Sequence, residues 1–162
     1  EISLGLVGSE MCIRDSNMSE AEREEFLDRF SEESDRTLVA FGIMGGIFGE
    51  GIDLKNDRLI GAIVVGTGLP QISNERTILK DYYDAENGCG FDYAFRYPGI
   101  NKVLQAAGRV IRTTEDTGVI LLLDERFWQR EYDLLYPREW SDRKPCNIAN
   151  VGKLVADFWE QI

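Results

Sequence analysis

Histidine is absent from the 162 residues of this chain. Every triad that uses imidazole as its base, every histidine-containing zinc site and every histidine pH switch is thereby excluded. Cysteine is sparse. Cys12, Cys89 and Cys146 are too few and too scattered for a disulfide framework, a four-thiolate zinc site or an iron-sulfur cluster, and a reducing compartment is the simplest reading. No apolar run reaches the roughly 18 residues that a membrane span requires. Positive charge is also short: 18 Lys and Arg stand against 29 Asp and Glu, a net charge of -11. A protein that simply coats nucleic acid needs a basic surface, so that class is disfavoured.

What is present is the balance of one soluble globular domain, 43% hydrophobic, 29% charged and 10% aromatic. The acidity is uneven, because residues 96–144 hold nine Lys and Arg against eight Asp and Glu while the remainder holds nine against twenty-one. Any phosphate-handling surface is expected within 96–144. The first sixteen residues, EISLGLVGSEMCIRDS, keep no helical or strand period and resemble translated adapter or vector sequence. They are expected to stand outside the fold, leaving residues 17–162 as a single domain, truncated on its N-terminal side.

From Ser19 the pattern becomes regular. Ser19 and Glu22 have the spacing of a capping box, and Phe26, Leu27 and Phe30 give an apolar face to a helix running to about Glu33. Three continuous apolar runs, residues 37–43, 59–68 and 118–124, predict strands covered on both faces. Helical stretches are expected at 74–86, at 99–112 with Pro98 in the first turn, and at 126–135. Val151, Leu154, Val155, Phe158, Trp159 and Ile162 mark one face of a last helix. Strands alternating with helices predict an α/β fold with a mainly parallel sheet.

The stretch GINKVLQAAGRVIRT carries the chemistry. As a helix at about 100 degrees per residue it puts Arg109 about 40 degrees and Arg112 about -20 degrees from Gln105, so three long polar side chains share a narrow face. Val103, Leu104, Ala107, Val110 and Ile111 fall opposite and can pack on the sheet. Gly108 costs such a helix roughly 1 kcal/mol relative to alanine, which suggests a close approach to the backbone there. Guanidinium forks match phosphate oxygens and keep their charge at neutral pH, so the face suits a triphosphate. A solvated basic face is the alternative reading.

The loop GGIFGEGID lacks the G-x-G-x-x-G order of a dinucleotide site and is, by itself, a turn. Its Glu50 and Asp53 could contact a ribose, a metal or a backbone amide, and the spacing does not choose. Together, however, GIFGEGIDL at 46–54 resembles motif V of superfamily 2 helicases and QAAGRVIR at 105–112 resembles their motif VI, QxxGRxxR. With GLP at 68–70 between them and LLLDERF at 121–127 after them, residues 18–135 resemble the DinG/XPD-type DNA helicases.

The resemblance implies the second, C-terminal RecA-like motor domain of an ATP-dependent DNA helicase, in the cytoplasm. It implies Arg109 and Arg112 as arginine fingers on the β and γ phosphates, and Gln105 as positioning the γ-phosphate or the attacking water. Gly49, Glu50, Gly51 and Asp53 would form the loop coupling nucleotide to DNA, with Asp53 near the nucleotide, and Gly108 would be a further nucleotide-binding position. It further implies ATP with Mg2+, the ion held mainly by a first motor domain, no iron-sulfur cluster in this segment, and single-stranded or forked DNA as partner. No G-x-x-x-x-G-K-[ST] phosphate cradle occurs, so the chain alone is expected to be inactive. Asp124-Glu125 imitates a Walker B pair but follows the arginine segment, and is read as structural or interdomain. Tyr82, Tyr83, Phe91, Tyr93, Phe95 and Tyr97 could stack on unpaired bases, but are expected to be mostly core. The rival functions are a non-catalytic protein-interaction module and an ATP-driven translocase that does not unwind.

Overall fold

The computed structural model describes residues 10–13, 19–30, 37–44 and 58–162. The capping box forms: the Ser19 backbone N–H donates to the Glu22 carboxylate at 2.8 Å, and the Glu22 N–H donates to Ser19 Oγ at 3.4 Å. Helix α1 (Glu20–Asp28) follows, shorter than expected. Phe26 is buried and meets Phe30 edge to face, 5.3 Å between ring centres. The far end of α1 is held from outside. Arg58 donates to the carbonyls of Phe30 at 2.7 Å and Leu27 at 3.1 Å, so a cation distant in sequence adds to the local bonds at this helix end.

Strands β1 (Glu10–Ile13) and β2 (Leu38–Phe41) pair in parallel, with Glu10 opposite Leu38. Four residues of the stretch expected outside the fold therefore have strand backbone. Strands β3 (Gly61–Val65) and β4 (Val119–Leu123) form a second parallel pair, Gly61 opposite Val119 and Val65 opposite Leu123. The Val119 N–H to Ile60 carbonyl and Gly66 N–H to Leu123 carbonyl bonds continue this ladder at its two ends. All described strand pairs are parallel, and the fold is the α/β architecture that the alternation of elements predicts.

Parallel neighbours need a crossover. Here it runs through helix α2 (Asn74–Asn87), a π-helical turn (Asp92–Arg96) and helix α3 (Tyr97–Ala107). Ser73 caps α2 by accepting the Arg76 N–H, and Gly88 ends it with a left-handed φ of 73°. Lys80 donates to Asp84 at 2.6 Å, and the Gly90 N–H reaches the other carboxylate oxygen at 2.8 Å. These bonds, that from Lys80 first, hold the Asp84 carboxyl below its usual range.

Among the described residues, the β3–β4 pair is covered unequally on its two faces. Val64 is buried and α3 packs on β3, whereas Ile63 is 62% and Val65 71% exposed and their neighbour Leu123 is 49% exposed. This corrects the expectation of strands buried on both sides. Continuous apolarity reports composition, and whether a layer covers each face depends on what the rest of the molecule supplies. The aromatic stretch also departs from expectation. Phe95 is buried, but Tyr82, Phe91 and Tyr93 are exposed. The rings cover one another instead, with Tyr83 and Tyr93 stacked at 4.0 Å and Tyr93 edge-on to Tyr97 at 5.2 Å.

Residues 125–162 form a second compact unit. The helix expected at 126–135 is split into a 3-10 turn (Glu125–Trp128) and the single turn α4 (Arg130–Asp133). Phe127 and Tyr132 are buried and meet edge to face at 6.2 Å. The Tyr136 hydroxyl donates to the Phe127 carbonyl at 2.9 Å, and burial pushes its pKa up to about 12. Helix α5 (Val151–Trp159) ends the chain, its apolar stripe half-buried at most.

Candidate phosphate-facing site

Helix α3 buries Gly99, Ile100, Val103 and Ala107, a stripe one turn apart along its length, and leaves Gln105 exposed. Its start is locked to the loop after β3. An added Cβ at Gly99 would lie 2.6 Å from the Thr67 carbonyl, and one at Gly68 would lie 2.7 Å from the Gly99 carbonyl. Gly68 also has a φ of +67°, which a side chain would strain. Two glycines thus let a loop at the carboxyl ends of the strands lie directly against the helix backbone.

The helix stops at Ala107, which corrects the expected span of 99–112. Gly108 is its C-cap, and the Arg109 and Val110 N–H groups turn back to the carbonyls of Ala106 at 3.2 Å and Ala107 at 3.0 Å. These tighter bonds end the helix. The next amides are taken elsewhere: the N–H groups of Arg112 and Thr113 both donate to Asp116 Oδ2, at 2.8 and 2.7 Å. A carboxylate acceptor competes well with a helical carbonyl, because hydrogen bonds to a charge are roughly twice as strong as neutral ones. Arg109 and Arg112, both half-buried, therefore belong to a turn, and the helical-wheel angles linking them to Gln105 do not apply.

Val110 anchors this turn. It is 3% exposed, and a Cβ added at Gly118 would lie 2.4 Å from Val110 Cγ1 and 2.9 Å from the Ile60 carbonyl. Since Ile60 and Gly118 directly precede β3 and β4, the arginine turn sits at the amino ends of these strands, opposite the Gly68 loop. Gly108 is exposed at the turn. The motif V residues Gly49, Glu50, Gly51 and Asp53 lie outside the described residues. Among the described residues, no group of three or more His, Cys, Asp and Glu side chains is placed to hold a metal ion, and no helix is long and apolar enough to cross a membrane. Cys89 and Cys146 are free thiols.

The sequence reading passed over Asp116, Gly118 and the Gly68–Gly99 contact. A signal for the first pair was available: Thr-Thr-Glu-Asp-Thr-Gly has turn composition and argues against a helix running through Arg112. The glycine contact joins residues thirty-one apart in sequence, beyond the reach of local pattern.

The described elements thus form a parallel β-α-β unit whose crossover helix ends in an arginine-bearing turn. Comparison with known proteins gives the family: the helicase C-terminal domain family matches residues 6–143. The ATP-dependent DNA helicase XPD of Sulfolobus acidocaldarius is 32% identical over 145 residues, covering 83% of this chain and 24% of that protein. The regulator of telomere elongation helicase 1 of Bos taurus is 30% identical over 113 residues, 64% of this chain and 9% of its own length. The ATP-dependent DNA helicase DinG of Photobacterium profundum is 32% identical over 101 residues, 61% of this chain and 14% of its own. The chain belongs to the helicase C-terminal domain family, in its DinG/XPD-type branch of superfamily 2. It spans a quarter or less of the length of these relatives.

Proposed function

We propose that this chain is the second motor domain of a longer ATP-dependent DNA helicase and supplies the arginine fingers for ATP hydrolysis coupled to movement along single-stranded or forked DNA. The observation that carries the reading is the position of the arginine turn. Open α/β sheets hold their own ligands beyond the carboxyl ends of the strands, whereas Arg109 and Arg112 lie at the amino ends of β3 and β4. Arginines placed there suit a nucleotide cradled by another domain better than one held by this sheet.

In this reading Arg109 and Arg112 meet the β and γ phosphates when the two motor domains close, and Gln105 orients the γ-phosphate or attacking water. Gly108 leaves room at the turn, and Gly49, Glu50, Gly51 and Asp53 couple nucleotide to DNA. Phosphoryl transfer depends mostly on positioning and on neutralising charge, so a finger delivered by closure makes hydrolysis conditional on it. We assign Mg2+ mainly to the first motor domain, no iron-sulfur cluster to this segment, and a cytoplasmic location, the last in keeping with the free thiols Cys89 and Cys146.

The test is ATP hydrolysis by the full-length protein in the presence of single-stranded DNA. Arg109→Ala or Arg112→Ala is expected to slow turnover by a factor on the order of 10³ with an unchanged melting temperature. Arg138→Ala, at an exposed position outside the site, is expected to behave as wild type. Near-normal turnover in both motif variants overturns the proposal, and a loss of melting temperature matching the loss of rate shows damage to the turn instead.

A further inference from the structure

The helix that carries Gln105 gives out five residues before Arg112, so helical hydrogen bonding cannot set where that arginine stands. Two other restraints bracket it. On one side Val110 is wedged against Gly118 and the Ile60 carbonyl. On the other, a single carboxylate oxygen of Asp116 accepts two successive amides, those of Arg112 and Thr113, and so fixes both peptide planes next to the Arg112 Cα. The Glu115 N–H donating to Thr113 Oγ1 at 3.2 Å closes the same turn from within.

We propose that Asp116 is a positioning residue for Arg112: its carboxylate sets the backbone from which the Arg112 guanidinium is aimed, and thereby the rate of the hydrolysis step. The proposal rests on the finger reading of Arg112. The place of this acceptor matters because it sets both peptide planes that flank the Arg112 Cα, and a displacement of about 1 Å at a catalytic group costs on the order of 10²-fold in rate. Asparagine can keep one acceptor oxygen in place, while alanine offers none.

The experiment uses the full-length protein, ATP and single-stranded DNA, with Asp116→Ala, Asp116→Asn, Arg112→Ala and the Asp116→Ala/Arg112→Ala double variant. Asp116→Ala is expected to lower kcat by on the order of 10²-fold while KM for ATP moves less than about 3-fold. Asp116→Asn is expected to lose less than about 10-fold, through partial rescue by its retained oxygen. In the Arg112→Ala background the second change is expected to add less than about 2-fold, since the residue it positions is already gone. Hydrogen exchange at the Arg112 and Thr113 amides is expected to quicken in Asp116→Ala.

An unchanged kcat in Asp116→Ala, or an equal loss in both backgrounds, overturns the proposal, the second showing a merely structural role. If Asp116→Ala fails to fold, Asp116→Asn decides: its rate loss must disappear in the Arg112→Ala background, or the proposal falls. Near-normal turnover in Arg112→Ala overturns the finger reading and this inference with it. A large Arg112→Ala effect with an indifferent Asp116 removes this inference alone.

Discussion

The arginine turn and the segment that follows β4 both place arginines near carboxylates, yet they use the arrangement differently. In residues 125–162, Arg143 pairs with Asp133, donates to the Trp140 carbonyl at 3.1 Å and lies over the Tyr136 ring at 4.9 Å. That guanidinium helps hold its own unit together. In the arginine turn, the hydrogen bonds of Asp116 Oδ2 go to backbone amides, and what they fix is the course of the chain at Arg112. A carboxylate beside an arginine can consume the charge or place it. Residue type and spacing alone do not distinguish the two.

Among substitutions that probe this contrast, the largest effect is expected in the element that carries the site. Gly99→Ala forces a Cβ to within 2.6 Å of the Thr67 carbonyl, where only backbone movement can relieve it. A loss of roughly 2–3 kcal/mol is expected in denaturant unfolding. ATP turnover should fall as well, because the same contact sets the start of α3. Full stability in this variant would mean that the loop and helix are not held as described.

A smaller effect is expected in the second unit, from Tyr136→Phe. The Tyr136 pKa is raised, so the folded state favours the neutral phenol; its contribution is fully present below the ordinary value near 10 and is lost as pH rises toward about 12. Ultraviolet titration should show a phenolate step near pH 12 in the wild type that is missing in Tyr136→Phe. The variant should also unfold less steeply with pH between about 10 and 12, with ATP turnover near neutral pH unaltered. A step at the ordinary tyrosine position that Tyr136→Phe removes would contradict the burial of this ring.

Much of the fold could be read locally. Ser19 and Glu22 announce the start of α1, the β-branched runs announce β2, β3 and β4, and Pro98 marks the opening of α3. The site was legible as a motif, because Gln105, Arg109 and Arg112 keep the QxxGRxxR spacing. Its geometry was not. An apolar period of 3.6 persists through Val110 and Ile111, but periodicity does not register that Asp116 competes for the Arg112 amide. The Arg58 clamp on α1 and the Gly68–Gly99 contact were hidden for a related reason, since each joins residues about thirty apart. The exposed faces of Ile63 and Val65 show the same limit, as apolar sequence does not reveal which neighbour covers it.

Whether this chain brings fingers to a nucleotide held elsewhere is decided by phosphate release from ATP, measured for the chain alone and for the full-length protein under the same conditions with single-stranded DNA. No turnover above background is expected from the chain, and from the full-length protein an ordinary helicase rate that Arg112→Ala cuts by on the order of 10³. Turnover by the chain alone at an ordinary enzyme rate, abolished by Arg109→Ala, would contradict it, because the sheet described here would then both cradle and cleave its own nucleotide.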